Sequence, residues 1–171
     1  MKKHRSVMAL FTLLFILPLL WGCPYESKVP LGKSSQAPID TALLGQWKNT
    51  EQGESFTMAI QQFNDHEFLI SGAELKNGIC KAEAIRAFVT IIKDEHFLNV
   101  QEIKGESEPR GWWIVKYTIS GDTLTAWTVE DKLLTQPVTS SRALYRFIKK
   151  NLRNKDLYGT DDPLVYHRVR Q

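Results

Sequence analysis

The chain has 171 residues, 43% of them hydrophobic and 24% charged, a length and composition suited to one globular domain with its own core. Its formal charge is +3, from 22 basic and 19 acidic residues, but three of the basic ones, Lys2, Lys3 and Arg5, stand in the first five positions. Beyond residue 22 the chain therefore carries 19 charges of each sign, which excludes the basic excess that nucleic-acid binding or a polybasic membrane patch requires.

The basic start runs into an apolar stretch from Val7 to Leu20, interrupted only by Thr12 and Pro18. A spanning helix needs about 20 apolar residues, so this shorter stretch is expected to be an export signal covering residues 1–22 rather than a permanent anchor. The segment "LLWGC", residues 19–23, resembles the lipobox of bacterial lipoproteins: aliphatic Leu20 stands three positions before the cysteine, small Gly22 directly before it, and Trp21 in the permissive middle. The resemblance implies cleavage before Cys23, a diacylglyceryl thioether on its sulfur and acylation of the new amino group. Each buried methylene contributes about 0.8 kcal/mol, and two or three chains on one residue hold durably where one holds marginally. The membrane is thus an expected partner. Pro24 stands where inner-membrane lipoproteins typically carry Asp, so the outer membrane of a bacterial envelope is the expected address. Modification of Cys23 leaves Cys80 without a partner in the chain, so no disulfide is expected and Cys80 reads as a structural thiol.

From Pro24 to Pro38, "PYESKVPLGKSSQAP" mixes Pro, Ser, Gly and charges with little periodic apolar pattern. Residues 23–38 are accordingly expected to form a lipidated N-terminus and flexible tether, with a single domain over 39–171. Within it the apolar period is mostly two. Phe56, Met58 and Ile60 alternate with polar or small residues up to a turn at Asn64-Asp65, and Phe68 and Ile70 continue toward a turn at Asn77-Gly78. Ile85, Ala87, Val89 and Ile91 share the next face, followed by Leu98 and Val100. Trp113, Val115, Tyr117 and Ile119 lead to a turn at Ser120-Gly121-Asp122, and Leu124, Ala126, Trp127 and Val129 follow it. Six or seven short strands joined by hairpin-length turns predict a mainly β, antiparallel up-and-down meander. After Pro137 the period changes. Ser140 and Ser141 can cap a helix with Leu144, Phe147, Ile148 and Leu152 on one face and Lys149 and Lys150 near its C-terminus. Residues 159–163 break it, and "LVYHRV", residues 164–169, returns as a short final strand.

Gly45, one residue, then Trp47 is similar to the G-x-W motif that opens the lipocalin barrel, and the order of meander, outer helix and last strand resembles that family's layout. The resemblance implies a barrel whose base is closed by Gly45 and Trp47, with a late arginine, Arg168 or Arg170, packed across the tryptophan. The family's central T-D-Y motif does not occur. An eight-stranded barrel either fills with side chains or holds one small ligand. Phe56, Met58, Phe88, Trp113, Tyr117 and Trp127 are the candidate residues for a cup that binds a small apolar molecule, and they equally suit a packed core.

Residues for chemistry are sparse. His66, His96 and His167 lack the short spacing that gives a metal two ligands on one element, so neither a metal nor another cofactor is expected. No G-x-S-x-G, P-loop or dinucleotide fingerprint occurs. The pairs Glu51/Glu54 and Glu106/Glu108 read as solvated loop charge rather than a glycosidase pair. Adjacent Trp112 and Trp113 must face opposite sides of one strand, and the outward indole suits packing beneath the C-terminal helix or a partner surface. The expected function is that of a non-enzymatic, membrane-anchored lipoprotein that binds a small apolar ligand. The alternative is an interaction lipoprotein with a filled barrel that binds other envelope proteins.

Overall fold

The computed structural model describes residues 25–51, 54–76, 79–103, 111–158 and 163–170, without the side chains of 51, 54, 73–76 and 79–83. The export segment, Cys23, the Asn77-Gly78 turn, Glu106 and Glu108, and the side chains of Glu51, Glu54 and Cys80 lie outside the described residues. No helix among the described residues is long and apolar enough to cross a membrane.

Among the described residues, nine strands and one α-helix follow in the order β1 (Glu26–Ser27), β2 (Gly45–Glu51), β3 (Glu54–Gln62), β4 (Phe68–Lys76), β5 (Ile79–Ile92), β6 (Glu95–Glu102), β7 (Trp112–Ser120), β8 (Thr123–Thr128), α1 (Ser141–Asn151) and β9 (Leu164–Arg168). Strands β2 to β8 form an antiparallel meander in sequence order. The ring closes through β9, which pairs with β8 from Thr123↔His167 to Ala126↔Leu164 and with β2 at Trp47↔Arg168 and Lys48↔His167. The expected short final strand is therefore the eighth stave of a closed antiparallel barrel, and closure leaves β2 and β8 no free edge at these positions.

Alternation along each strand separates two cores. Inward residues, including Trp47, Ile60, Phe68, Ala87, Val89, Leu98 and Tyr117, form the interior cluster. Residues of opposite parity, Ile92 and Phe97 with Ile114 just across β7, form a second cluster outside the wall, covered by Leu144 and Ile148 of α1. The helix begins where the sequence places it, because the Ser140 hydroxyl accepts the Ala143 amide at 3.2 Å. Lys149 and Lys150 occupy its last turn, where cations complement the helix dipole.

The second core corrects the expected tether. Residues 25–38 are a strap laid on the barrel. Glu26 and Ser27 pair with Trp113 and Trp112 of β7, and Leu31 and Ala37 are buried. The Leu31 amide donates to Asn99 Oδ1 at 2.5 Å, while the Asn99 amide group donates to Phe88 O at 3.2 Å and Thr90 Oγ1 at 2.9 Å. Few strap residues are apolar, so no periodicity marks them, yet Tyr25, Val29 and Leu31 pack on the second core. The folded body consequently includes residues 25–38 and does not start at residue 39.

Candidate functional site

At one end the barrel is shut. Trp47 is fully buried, and its indole N–H donates to Leu43 O at 2.8 Å. The Arg168 guanidinium lies 4.2 Å from the Trp47 ring centroid and donates to Leu44 O at 2.6 Å and Ala42 O at 2.7 Å. One planar cation thus stacks on the ring and satisfies two carbonyls that β2 does not pair. Gly45 makes the approach possible. Its φ is +127°, and a Cβ there would stand 2.8 Å from Arg168 Nη1. Arg170, the other candidate, turns outward to Asp122 at 2.5 Å.

The segment just after the strap completes this floor. Asp40 accepts the Ala42 amide at 3.0 Å, capping the turn Thr41–Leu43, and its other oxygen accepts the Tyr117 hydroxyl at 2.8 Å. Burial, and then the Asp40 carboxylate, push the Tyr117 hydroxyl well above the ordinary tyrosine range, so it stays protonated and committed to the floor. His96 Nδ1 lies 3.5 Å from the same carboxylate.

Above the floor the interior is hollow. A cavity of about 190 Å³ opens toward the opposite end, lined by Phe56, Met58, Ile70, Val100, Leu124 and Tyr166 among others. None of its described lining residues is charged. Burial pushes the Tyr166 hydroxyl above its ordinary pKa. Gly72 leaves room for the Phe56 ring, whose tip lies 2.6 Å from where a Cβ would be. An enclosed apolar cavity of about 150 Å³ takes up benzene, so this one accommodates an apolar group somewhat larger than one aromatic ring. With its described lining residues almost all apolar, it can bind by apolar contact and shape.

Of the six residues read as a cup, Phe56, Met58 and Tyr117 line the cavity together. The other three do not, two of them by strand parity and one by its place along the strand. Phe88 alternates with the inward Ala87 and Val89, and its ring meets the Trp112 ring outside the wall at 5.5 Å. Trp127 alternates with the inward Ala126 and Thr128, and Lys116 Nζ stands 5.6 Å from its ring while pairing with Glu95 at 2.8 Å. Trp113 has the parity of Val115 and Tyr117 but lies one step nearer the open end, beyond the cavity lining. Its neighbour Trp112 packs on the helix-covered cluster. Inward Ile70, Ile85, Val100 and Leu124 were legible from the alternation as wall residues but carry no mark that separates cavity from core.

Elsewhere, His66 Nδ1 meets Ala37 O at 2.9 Å and His167 Nδ1 lies 3.5 Å from Thr123 Oγ1. Among the described residues no group of three or more His, Cys, Asp or Glu comes together to hold a metal ion. Sequence reasoning missed two buried carboxylates, Glu130, which pairs with Lys132 at 2.7 Å, and Glu67. Glu67 is buried at the β3–β4 turn, accepts Arg86 Nε at 3.0 Å and Nη2 at 2.5 Å, and accepts Asn64 at 3.1 Å. The Arg86 bonds hold its carboxyl below the usual range against the opposing cost of burial. It stands on the closed end and is a brace rather than a site. No family model, curated protein or solved structure matches this chain.

Proposed function

We propose that this chain is a lipid-anchored binding protein of the bacterial envelope, attached through Cys23, that holds a small apolar ligand inside its barrel. The observation that carries the ligand reading is the cavity of about 190 Å³, uncharged among its described lining residues, above a floor whose polar groups are already paired. A closed floor and an open opposite end give such a ligand one way in and out. The lipobox-like segment ending at Cys23 supports the anchor, and the apolar character of the described lining residues supports a ligand held by apolar contact.

Two measurements test this reading. Cys23→Ser is expected to abolish processing and to move the protein out of the carbonate-washed membrane fraction; a variant that matures and stays there refutes the anchor. For the cavity, the full body from residue 25 is purified and titrated with a medium-chain fatty acid. Saturable change in tryptophan fluorescence is expected, because Trp47 belongs to the same interior cluster as the lining residues Met58 and Ile60. Flat titrations together with mass spectra free of copurifying apolar molecules would leave only the interaction-protein reading.

A further inference from the structure

We infer that the ligand is a neutral carbonyl compound, its oxygen held by the hydroxyl of Tyr166 and the rest of it by the apolar wall. This deepens the ligand-binding reading of the cavity and rests on it.

The first ground is a donor left over. Three hydroxyls belong to the described lining residues, those of Tyr117, Thr128 and Tyr166. Tyr117 donates to Asp40 and is committed to the floor. Thr128 ends β8, at the open end of the barrel. Tyr166 pairs with Leu124, nearer the floor, and its hydroxyl makes no hydrogen bond among the described residues. A hydroxyl without a partner in an apolar wall lowers stability, and a phenylalanine would line the same wall without that cost.

The second ground is that this donor is held in place. On one side its strand is paired with β8 through Leu124↔Tyr166. On the other, past the two residue pairs that join β9 to β2, the Asn49 side chain donates to Val165 O at 2.8 Å. The Tyr166 ring meets the Phe56 ring edge-on, 6.3 Å between centroids, and Phe56 is itself seated over Gly72. A donor fixed in this way is oriented before the ligand arrives, which lowers the entropy cost of binding.

The third ground is the class of partner such a donor selects. Burial keeps the Tyr166 hydroxyl protonated above the ordinary tyrosine range, so it stays a donor. None of the described lining residues is charged, and Arg168 beneath them donates to the carbonyls of Leu44 and Ala42. An ionised group drawn to Tyr166 would give up its hydration for one neutral hydrogen bond, so a carboxylate stays at the open end and only its chain enters. What reaches the hydroxyl is neutral. A ketone, aldehyde or ester oxygen only accepts, so one donor completes it, whereas an amide brings N–H groups that need acceptors of their own.

The test uses purified protein from residue 25 onward, which contains both cores, and two probes of one shape, acetophenone and α-methylstyrene, which differ in an oxygen against a methylene. Each is titrated by calorimetry into the parent and into Tyr166→Phe. The variant is expected to bind acetophenone about fivefold more weakly and α-methylstyrene as the parent does, since a neutral hydrogen bond has a net worth of about 1 kcal/mol. Equal acetophenone affinity in the two proteins overturns the inference and leaves the apolar cavity standing. A parent that binds neither probe overturns the cavity reading and the inference together. Infrared spectra of isotope-labelled acetophenone bound to the parent decide the case without the variant. A carbonyl band below its position in hydrocarbon solvent is expected, and a band at the hydrocarbon position overturns the inference.

Discussion

Arg168 carries three duties at once, stacking on Trp47 and donating to the carbonyls of Leu44 and Ala42. A lysine retains the charge but not the planar fork, so it can serve one duty only. Arg168→Lys is expected to cost about 1–3 kcal/mol and Arg168→Ala somewhat more, from charged hydrogen bonds worth about 1.5–3 kcal/mol each and a stacked cation worth about 0.5–2. Urea denaturation followed by tryptophan fluorescence measures both; equal stability of the lysine variant and the parent would show that the fork is not used. Glu67 gives a pH signature. Its folded-state pKa is depressed by Arg86, so its contribution is present above the unfolded value of 4.5 and is lost as pH falls through the folded one. Melting temperatures taken from pH 7 down to pH 3 are expected to fall below about pH 4.5, and Glu67→Gln is expected to melt lower at pH 7 with a shallower decline in that acid window. The two residues differ in how the sequence shows them. Gly45 and Trp47 resemble a G-x-W opening, and that resemblance, rather than any spacing, implies a late arginine, Arg168 or Arg170, across the indole. Glu67 beside Asn64 and Asp65 looks like any charged turn, because its burial depends on Arg86, which only the pairing of β4 with β5 brings near.

At the scale of elements, the inward faces of the strands and the whole of α1 were written in their periodicity, and the strap was not. Its burial is supplied by the barrel's outer wall, so nothing local to "PYESKVPLGKSSQAP" signals it. Parity also exposes the error in placing Phe88 and Trp127 within the cup, since both break the alternation of their own strands. The strap is nonetheless expected to be part of the cooperative fold. Leu31 is 1% exposed within the second core and its amide depends on Asn99. Leu31→Ala is expected to cost about 2–4 kcal/mol, in the range of buried leucine truncations. A segment acting only as a tether would show no change in denaturation midpoint, so the measurement separates the two descriptions directly.

For the molecule as a whole, the decisive event is closure. Trp47 meets Arg168 across almost the entire folded chain, a pairing that no local pattern announces, and it converts a meander into a vessel with a floor. The floor is packed and the upper half is hollow, so the choice between core and cup resolves into a division along the barrel axis. Hollowness is costly. At about 24 cal/mol per Å³, leaving about 190 Å³ unfilled forgoes on the order of 4 kcal/mol of packing. A fold that only needed a stable exterior would gain by filling it, whereas a binding protein keeps it open and regains stability when the ligand enters. Ala126 lines the cavity from β8 and is flanked in the sheet by Tyr117 and Leu164, so Ala126→Phe projects a ring into the empty space. The variant is expected to melt higher than the parent in the absence of ligand and to lose saturable fatty-acid binding. Higher stability with binding intact would place the ligand elsewhere on the molecule. Lower stability would mean that the hollow cannot accept a ring of that size. Only gain and loss together have the form of a cavity kept open for use.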